Sequence, residues 1–281
     1  MKIILSRKGF DSSFGGYPSP ILPDGKMVSL PIPRKDDLRY SDLLVEDGLT
    51  YYDVMRQLKP NIKIDGIWHR IEKETKCHLD PDIYRNVIPR KSDWRPCFGQ
   101  IDSAQRHLEE QGIGEGDLFL FFGWFKRTRN HNGELEFDPN ERNLHAIFGY
   151  MQIDEIMKIT NNINVPEWLE YHPHNSENRR NNKSNTMYIA RRNSSWNNNL
   201  DGAGNLEFNE NLILTKKGLS RTKWSLPDLF RSAEISYHSK DSWKNGYFQS
   251  AARGQEFVIK DNKKVEEWAM RLIEGSVLAS N

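Results

Sequence analysis

The sequence predicts an α+β fold: a bent, mostly antiparallel sheet or small open barrel, with peripheral helices and long insertions. Three observations carry this. The run Gly116–Phe125 is apolar, aromatic and β-prone. A second such run, His145–Ile153, follows a polar excursion over Arg127–Asn143, so the two read as an antiparallel pair at the centre of a sheet. Apolar residues recur at helical spacing in 265–274, and 102–111 reads as a helix with Asp102 at its start and glycines after its end.

Taken in order, Ile3–Leu5 is a first strand and Met27–Leu30 a second, with a turn at Leu22–Gly25 between them. Residues 41–60 read as helical, placing Tyr51, Val54, Met55 and Leu58 on one face. Residues 61–96 are irregular. Asp102 is placed to cap the helix at 102–111, which Gly112 and Gly114 end. Residues 176–211 are Asn-rich and read as a mobile insertion carrying one strand, Thr186–Ala190. Leu212–Leu214 is a further strand, and a short helix begins in Trp224–Phe230 after Pro227. Glu256–Ile259 is a late strand. A closing helix, Val265–Glu274, gathers Val265, Trp268, Ala269 and Leu272 on one face. The whole, 1–281, is expected to be a single domain.

With 281 residues the chain can bury a full core. Its net charge of +1 leaves any nucleic-acid contact to a local basic patch. A mean hydropathy of −0.76 and the lack of a long apolar run point away from membranes. Two cysteines, Cys77 and Cys97, suit a reducing compartment, and with no signal-peptide pattern a cytoplasmic location is expected. Eight tryptophans in so polar a chain suit a core, and equally a pocket that stacks flat ligands. The P-loop, dinucleotide-fold, nucleophile-elbow and zincin motifs are all missing, which disfavours those chemistries.

Several constellations could carry function. Ser6-Arg7-Lys8-Gly9-Phe10-Asp11 leaves a strand with hydroxyl, cations and backbone N–H groups, suited to an anion or simply to a polar turn. His78-Leu-Asp80-Pro-Asp82 sets three polar groups at alternate positions. On extended backbone they would share a face and could hold a divalent ion, while Asp82 could equally cap a helix from Ile83. His172-Pro-His174 could direct two imidazoles into one cleft for acid–base work, or lie in a surface loop. Ser220-Arg221-Thr-Lys-Trp224 combines phosphate donors with a stacking indole, against a reading as solvated cations before a helix cap. Arg253 and Gln255 are side-chain types that read base edges, and Gln100 could do the same beside His107. All of them are also ordinary loop or cap residues.

Taken together, SRKGFDS with PSPILPDG, CHLDPDI, GDLFLFFGWF, HAIFGYMQI, YHPH, MYIA and LTKKGLSRTKWSLPDLF resemble the nucleotide modification associated domain family, third type. That family of bacteria and their phages is linked to systems that alter nucleic-acid bases. The resemblance runs from Met1 to about Phe257, with the Asn-rich stretch as its departure. It implies a setting, base modification, more firmly than a reaction or a cofactor. It also implies that Arg7, Lys8, Asp11, His78, Asp80, His172, His174, Arg221 and Trp224 line the site. A looser similarity is to PUA-like domains of the ASCH and EVE kind, which hold modified bases in a cleft. The expectation is therefore an enzyme acting on a base or nucleotide. Arg7, Lys8 and Arg221 would hold phosphate, Trp224 would stack the base, and Asp11, Asp80 or His172 would move protons. The alternative is a reader that binds modified nucleic acid without chemistry. DNA or a nucleotide, and other proteins of a modification system, are the expected partners.

Overall fold

A computed structural model describes residues 1–46, 48–252 and 254–277. Its centre is a nine-stranded open sheet. The strands in chain order are β1 (Ile3–Arg7), β2 (Ser19–Ile21), β3 (Cys97–Gln100), β4 (Leu118–His131), β5 (Glu134–Phe137), β6 (Leu144–Lys158), β7 (Thr186–Ala190), β8 (Ala203–Asn205) and β9 (Glu256–Ile259). Across the main path they lie β9-β1-β4-β6-β7-β3, with β2 and β5 added to β4 and β8 added to β6. The pairings are antiparallel except that β1 and β2 both run parallel to β4. The expectation of a mostly antiparallel sheet therefore holds, as does the central pair: β4 and β6 meet from Leu144 opposite Phe125 to Gln152 opposite Leu118.

β6 carries the sheet around a bend. Its first part pairs with β4, its last part, from Ile153 to Lys158, pairs with β7, and a register shift falls within each pairing. Such irregularities sharpen local twist. β4 is a continuous apolar run because both of its faces are covered: Phe119, Phe121, Phe122 and Phe125 are all fully buried. Each such side chain contributes roughly 1.5–3 kcal/mol by leaving water.

The helices are α1 (Tyr51–Leu58), α2 (Asp102–Glu110), α3 (Glu177–Arg180) and α4 (Lys263–Glu274). α4 follows its pattern, with Val265, Ala269 and Leu272 buried, Trp268 edge-on to Phe230, and Asn262 capping the first turn. α1 is shorter than the expected 41–60. Thr50 and Asp53 form a capping box that fixes its start, and the preceding residues make a small hairpin, Leu44–Glu46 with Leu49–Thr50, that turns through Gly48 at φ +76°. The stretch read as irregular contains a second hairpin, Asn61–Ile64 with Ile67–Arg70, closed by Asp65-Gly66 with both residues at positive φ.

Other expectations shift. Met27–Leu30 is not a strand; Met27 makes a single bridge to Ile21, and the Leu22–Gly25 turn is present. Ile101, not Asp102, occupies the N-cap of α2, because Asp102 itself sits at φ +58° as the first helical residue. Leu212 ends a 3-10 turn, and only Ile213 bridges to β6. Trp224 lies in a two-residue strand, Lys223–Trp224, and a 3-10 turn over Asp228–Ser232 follows Pro227. The Asn-rich stretch supplies α3, β7 and β8. No described helix is long and apolar enough to cross a membrane.

Candidate functional site

A cleft of about 750 Å³ opens where the end of β1, the end of β3 and the β4 face come together. That volume falls in the range of small-molecule sites. One wall is cationic. β1 ends at Arg7, whose guanidinium donates to the carbonyls of Ala252 and Gly254 at 3.3 and 2.6 Å. Beside it, the Arg221 guanidinium lies over Trp124, 3.8 Å from the ring centre, and the Trp124 indole N–H is anchored on Asn143 at 2.8 Å. Among the described residues neither arginine has a carboxylate within ion-pair distance. Burial lowers the pKa of both, and the two cations lower Arg221 further through their mutual repulsion. Asp11 supplies a favourable charge to both arginines without contacting either, so two half-buried guanidinia outside any direct ion pair are available to an anion.

The other wall is a histidine–carboxylate cluster. Asp80 is its hub. Its Oδ1 accepts the Gly99 backbone N–H at 2.8 Å and faces His172 Nε2 at 3.6 Å, while its Oδ2 faces the Nε2 atoms of His78 and His174, each at 3.8 Å. Behind these rings stand further groups. His78 Nδ1 meets the Asp36 carboxylate at 2.7 Å, and Arg179 donates to the same carboxylate at 2.6 Å. His174 Nδ1 meets Asn185 Oδ1 at 2.7 Å. Asp36, Asn185 and all three histidines are buried. Burial drives the His78 and His174 imidazolium pKa values down, that of His174 to about 3. Burial would raise the Asp80 carboxyl, but the facing imidazoles outweigh it and hold it at about 2. Asp36 is likewise held at about 2: His78 and Arg179 overcome its burial. Asp80 is thus held anionic, while burial favours the neutral forms of His78 and His174.

Of the residues expected from sequence, Arg7, Lys8, Asp11, His78, Asp80, Gln100, His174, Arg221 and Gln255 all line this cleft. Several have other ties. Lys8 pairs with the buried Glu256 at 2.8 Å and lies over the Phe98 ring. Gln100 donates to the same Glu256 oxygen at 2.7 Å and accepts the Ile101 N–H, so its amide is occupied. Asp11 Oδ1 takes the N–H groups of Ser13 and Phe14, holding the turn after β1. His172 is buried behind Asp80 rather than on the wall. Ser6 is buried in β1, Ser220 is exposed outside the cleft, and Arg253 lies outside the described residues.

Two readings are corrected. Trp224 is not a stacking plate: it is 1 % exposed, packs edge-on to Phe122 and donates its indole N–H to His145 Nδ1 at 3.1 Å. Asp82 does not join Asp80 on one face, nor does it cap a helix. It is fully buried, forked by Arg90 at 2.5 and 2.7 Å and touched by Tyr171 and Trp94. Neither buried cysteine enters the cluster.

Asp36, Trp124, His145, Arg179 and Asn185 were not foreseen. Trp124 stood within the strong strand run and carried no signal apart from that run. Asp36, Arg179 and Asn185 carry no local pattern, since each is brought in from a distant segment.

The family model described as nucleotide modification associated domain 3 matches residues 2–260. No curated protein matches the chain, and no solved structure does, so the PUA-like likeness has no structural neighbour behind it.

Proposed function

The chain belongs to the nucleotide modification associated domain 3 family, and from that premise we propose that it is an enzyme acting on a base or nucleotide of a DNA modification system. One observation carries the reading: a single cleft holds both a pair of arginines outside any direct ion pair, beside an indole, and a buried carboxylate ringed by imidazoles. The first half suits a phosphate and a flat base. The second suits chemistry on the ligand so held.

In this reading Arg7 and Arg221 take the phosphate, and Trp124 does the stacking that the sequence assigned to Trp224. A base reaches the His78–Asp80–His174 wall as a free nucleotide or by leaving its stack. The facing imidazoles hold Asp80 ionised against its burial, and burial holds His174 neutral at neutral pH. The Trp124–Arg221 contact also fits a module that only binds bases.

The test separates the two. The protein is incubated with plain and base-modified DNAs and nucleotides, the products are reduced to nucleosides, and their masses are read. A new or missing nucleoside that depends on both Arg221 and Asp80 is the expected result. An unchanged spectrum, with modification-dependent binding retained, would make the protein a reader.

A further inference from the structure

We infer that His78, Asp80 and His174 form a binding site for one divalent first-row cation, of the Zn²⁺ or Fe²⁺ kind, in the wall of the cleft. The site stands on the geometry of the cluster alone; any part it plays in turnover rests on the function proposed above.

The donor atoms converge. A ring nitrogen of His78, one of His174 and a carboxylate oxygen of Asp80 all lie within 4.8 Å of one another, and both Nε2 atoms stand 3.8 Å from Oδ2. Bonds of about 2.1 Å to a tetrahedral ion set donor separations of roughly 3.4 Å. The 3.8 Å found from each imidazole to Oδ2 closes to that by a small ring rotation.

The lone pairs point the right way, and the surrounding hydrogen bonds show it. Asn185 donates its amide N–H groups to the carbonyls of Ile159 and His174, which fixes Oδ1 as the acceptor toward His174 Nδ1. His174 therefore carries its proton on Nδ1 and turns a bare Nε2 toward Asp80. His78 does the same: the Asp36 carboxylate, 2.7 Å from Nδ1, can only accept, so Nδ1 donates there although an Arg179 N–H also approaches it at 3.3 Å. Carboxylate and amide partners behind ligating imidazoles are the usual means of fixing the metal-bound tautomer. Asp80 is oriented too. Its Oδ1 takes the Gly99 N–H and faces His172, while no donor reaches Oδ2 among the described residues. His172 accepts the His174 backbone N–H on Nδ1, so its Nε2 bears the proton and is not a ligand. Two bare nitrogens and an anionic oxygen thus face one another with nothing positive between them. That arrangement is repulsive alone and favourable around a cation. Gly99 makes room for it, since a Cβ there would lie 2.3 Å from the His174 ring. Three protein ligands leave at least one position open toward the cleft.

The test uses the intact chain stripped with a chelator and titrated with Co²⁺, followed by displacement with Zn²⁺. Expected are visible d–d bands saturating at one cobalt per chain and abolished by Zn²⁺, with a metal-dependent rise in melting temperature. His174→Ala and Asp80→Asn abolish the bands. Asn185→Ala, which leaves the ligands in place, weakens binding by about 10–100-fold. A featureless spectrum with an unmoved melting temperature, or bands that survive His174→Ala, overturns the site. Metal binding without nucleoside conversion would leave the site standing and sink only the proposed function.

Discussion

At the scale of single residues the account rests on a few side chains whose surroundings define their roles. Arg221 lies over Trp124 and makes no ion pair among the described residues, with Asp11 acting on it only from a distance, so Arg221→Ala removes a charge-assisted partner from the ligand, not a structural ion pair. A nucleoside monophosphate should bind this variant about 10–100-fold more weakly, the equivalent of roughly 1.5–3 kcal/mol, with the melting temperature little changed. Titration calorimetry reads this directly, and equal affinity would remove Arg221 from the anion site. Gly99→Ala tests the other wall. The added methyl displaces His174 while Arg7 and Arg221 stay in place, so turnover should drop by about 100-fold with nucleotide affinity retained. Much of this was legible. The motif H-x-D at 78–80 and the pair His172-Pro-His174 both mark the cluster, because chemistry-bearing side chains sat close together in sequence. Asp36, Arg179 and Asn185 could not be read that way. Each acts through a contact with a residue 11 to 143 positions away, and none has a neighbour that betrays it.

At the scale of elements, the strong strands and α4 were legible because long periodic or β-prone runs override local noise. The α1 boundary failed because a Thr-x-x-Asp cap and a glycine turn within 41–50 outweighed apolar spacing. The Asp65-Gly66 hairpin was available as a turn signal and went unread among charged residues. Trp224 was misread for a different reason. Its neighbours Arg221 and Lys223 are polar, but its strand pairs with Tyr247–Gln249 and turns the indole into the aromatic core against Phe122, Phe248 and Phe257. Trp224→Ala should therefore cost about 3–5 kcal/mol of stability in urea unfolding, the range for deleting a buried aromatic. Had Trp224 been a stacking residue, the same change would weaken nucleotide binding and leave the unfolding midpoint in place. Trp124→Ala should show that second pattern.

At the scale of the whole molecule, one open sheet brings β1, β3 and β4 to the same cleft, so residues 7, 80, 124 and 221 meet although no stretch of sequence joins them. Burying this much polar chemistry has a consequence for stability. His145 lines the cleft and is neutral. Burial lowers its pKa to about 3, helped by Arg221 and Arg7, and its Nδ1 accepts the Trp224 indole. The unfolded chain binds that proton near the ordinary histidine value and the folded chain does not. Stability should then fall as pH drops below about 6.5, and continue falling toward pH 3, by about 1.4 kcal/mol per pH unit for this one group. Urea melts at a series of pH values should show a shallower slope in His145→Gln, and an unchanged slope would mean that His145 is protonated in the fold. The central claim is that one ligand spans both walls of the cleft. The measurement that tests it most directly is the crystal structure of the protein soaked with a nucleoside monophosphate. The account predicts phosphate against Arg7 and Arg221, the base against Trp124, and the ligand reaching toward His78, Asp80 and His174. A nucleotide bound elsewhere, or a cleft empty at saturating nucleotide, would contradict it.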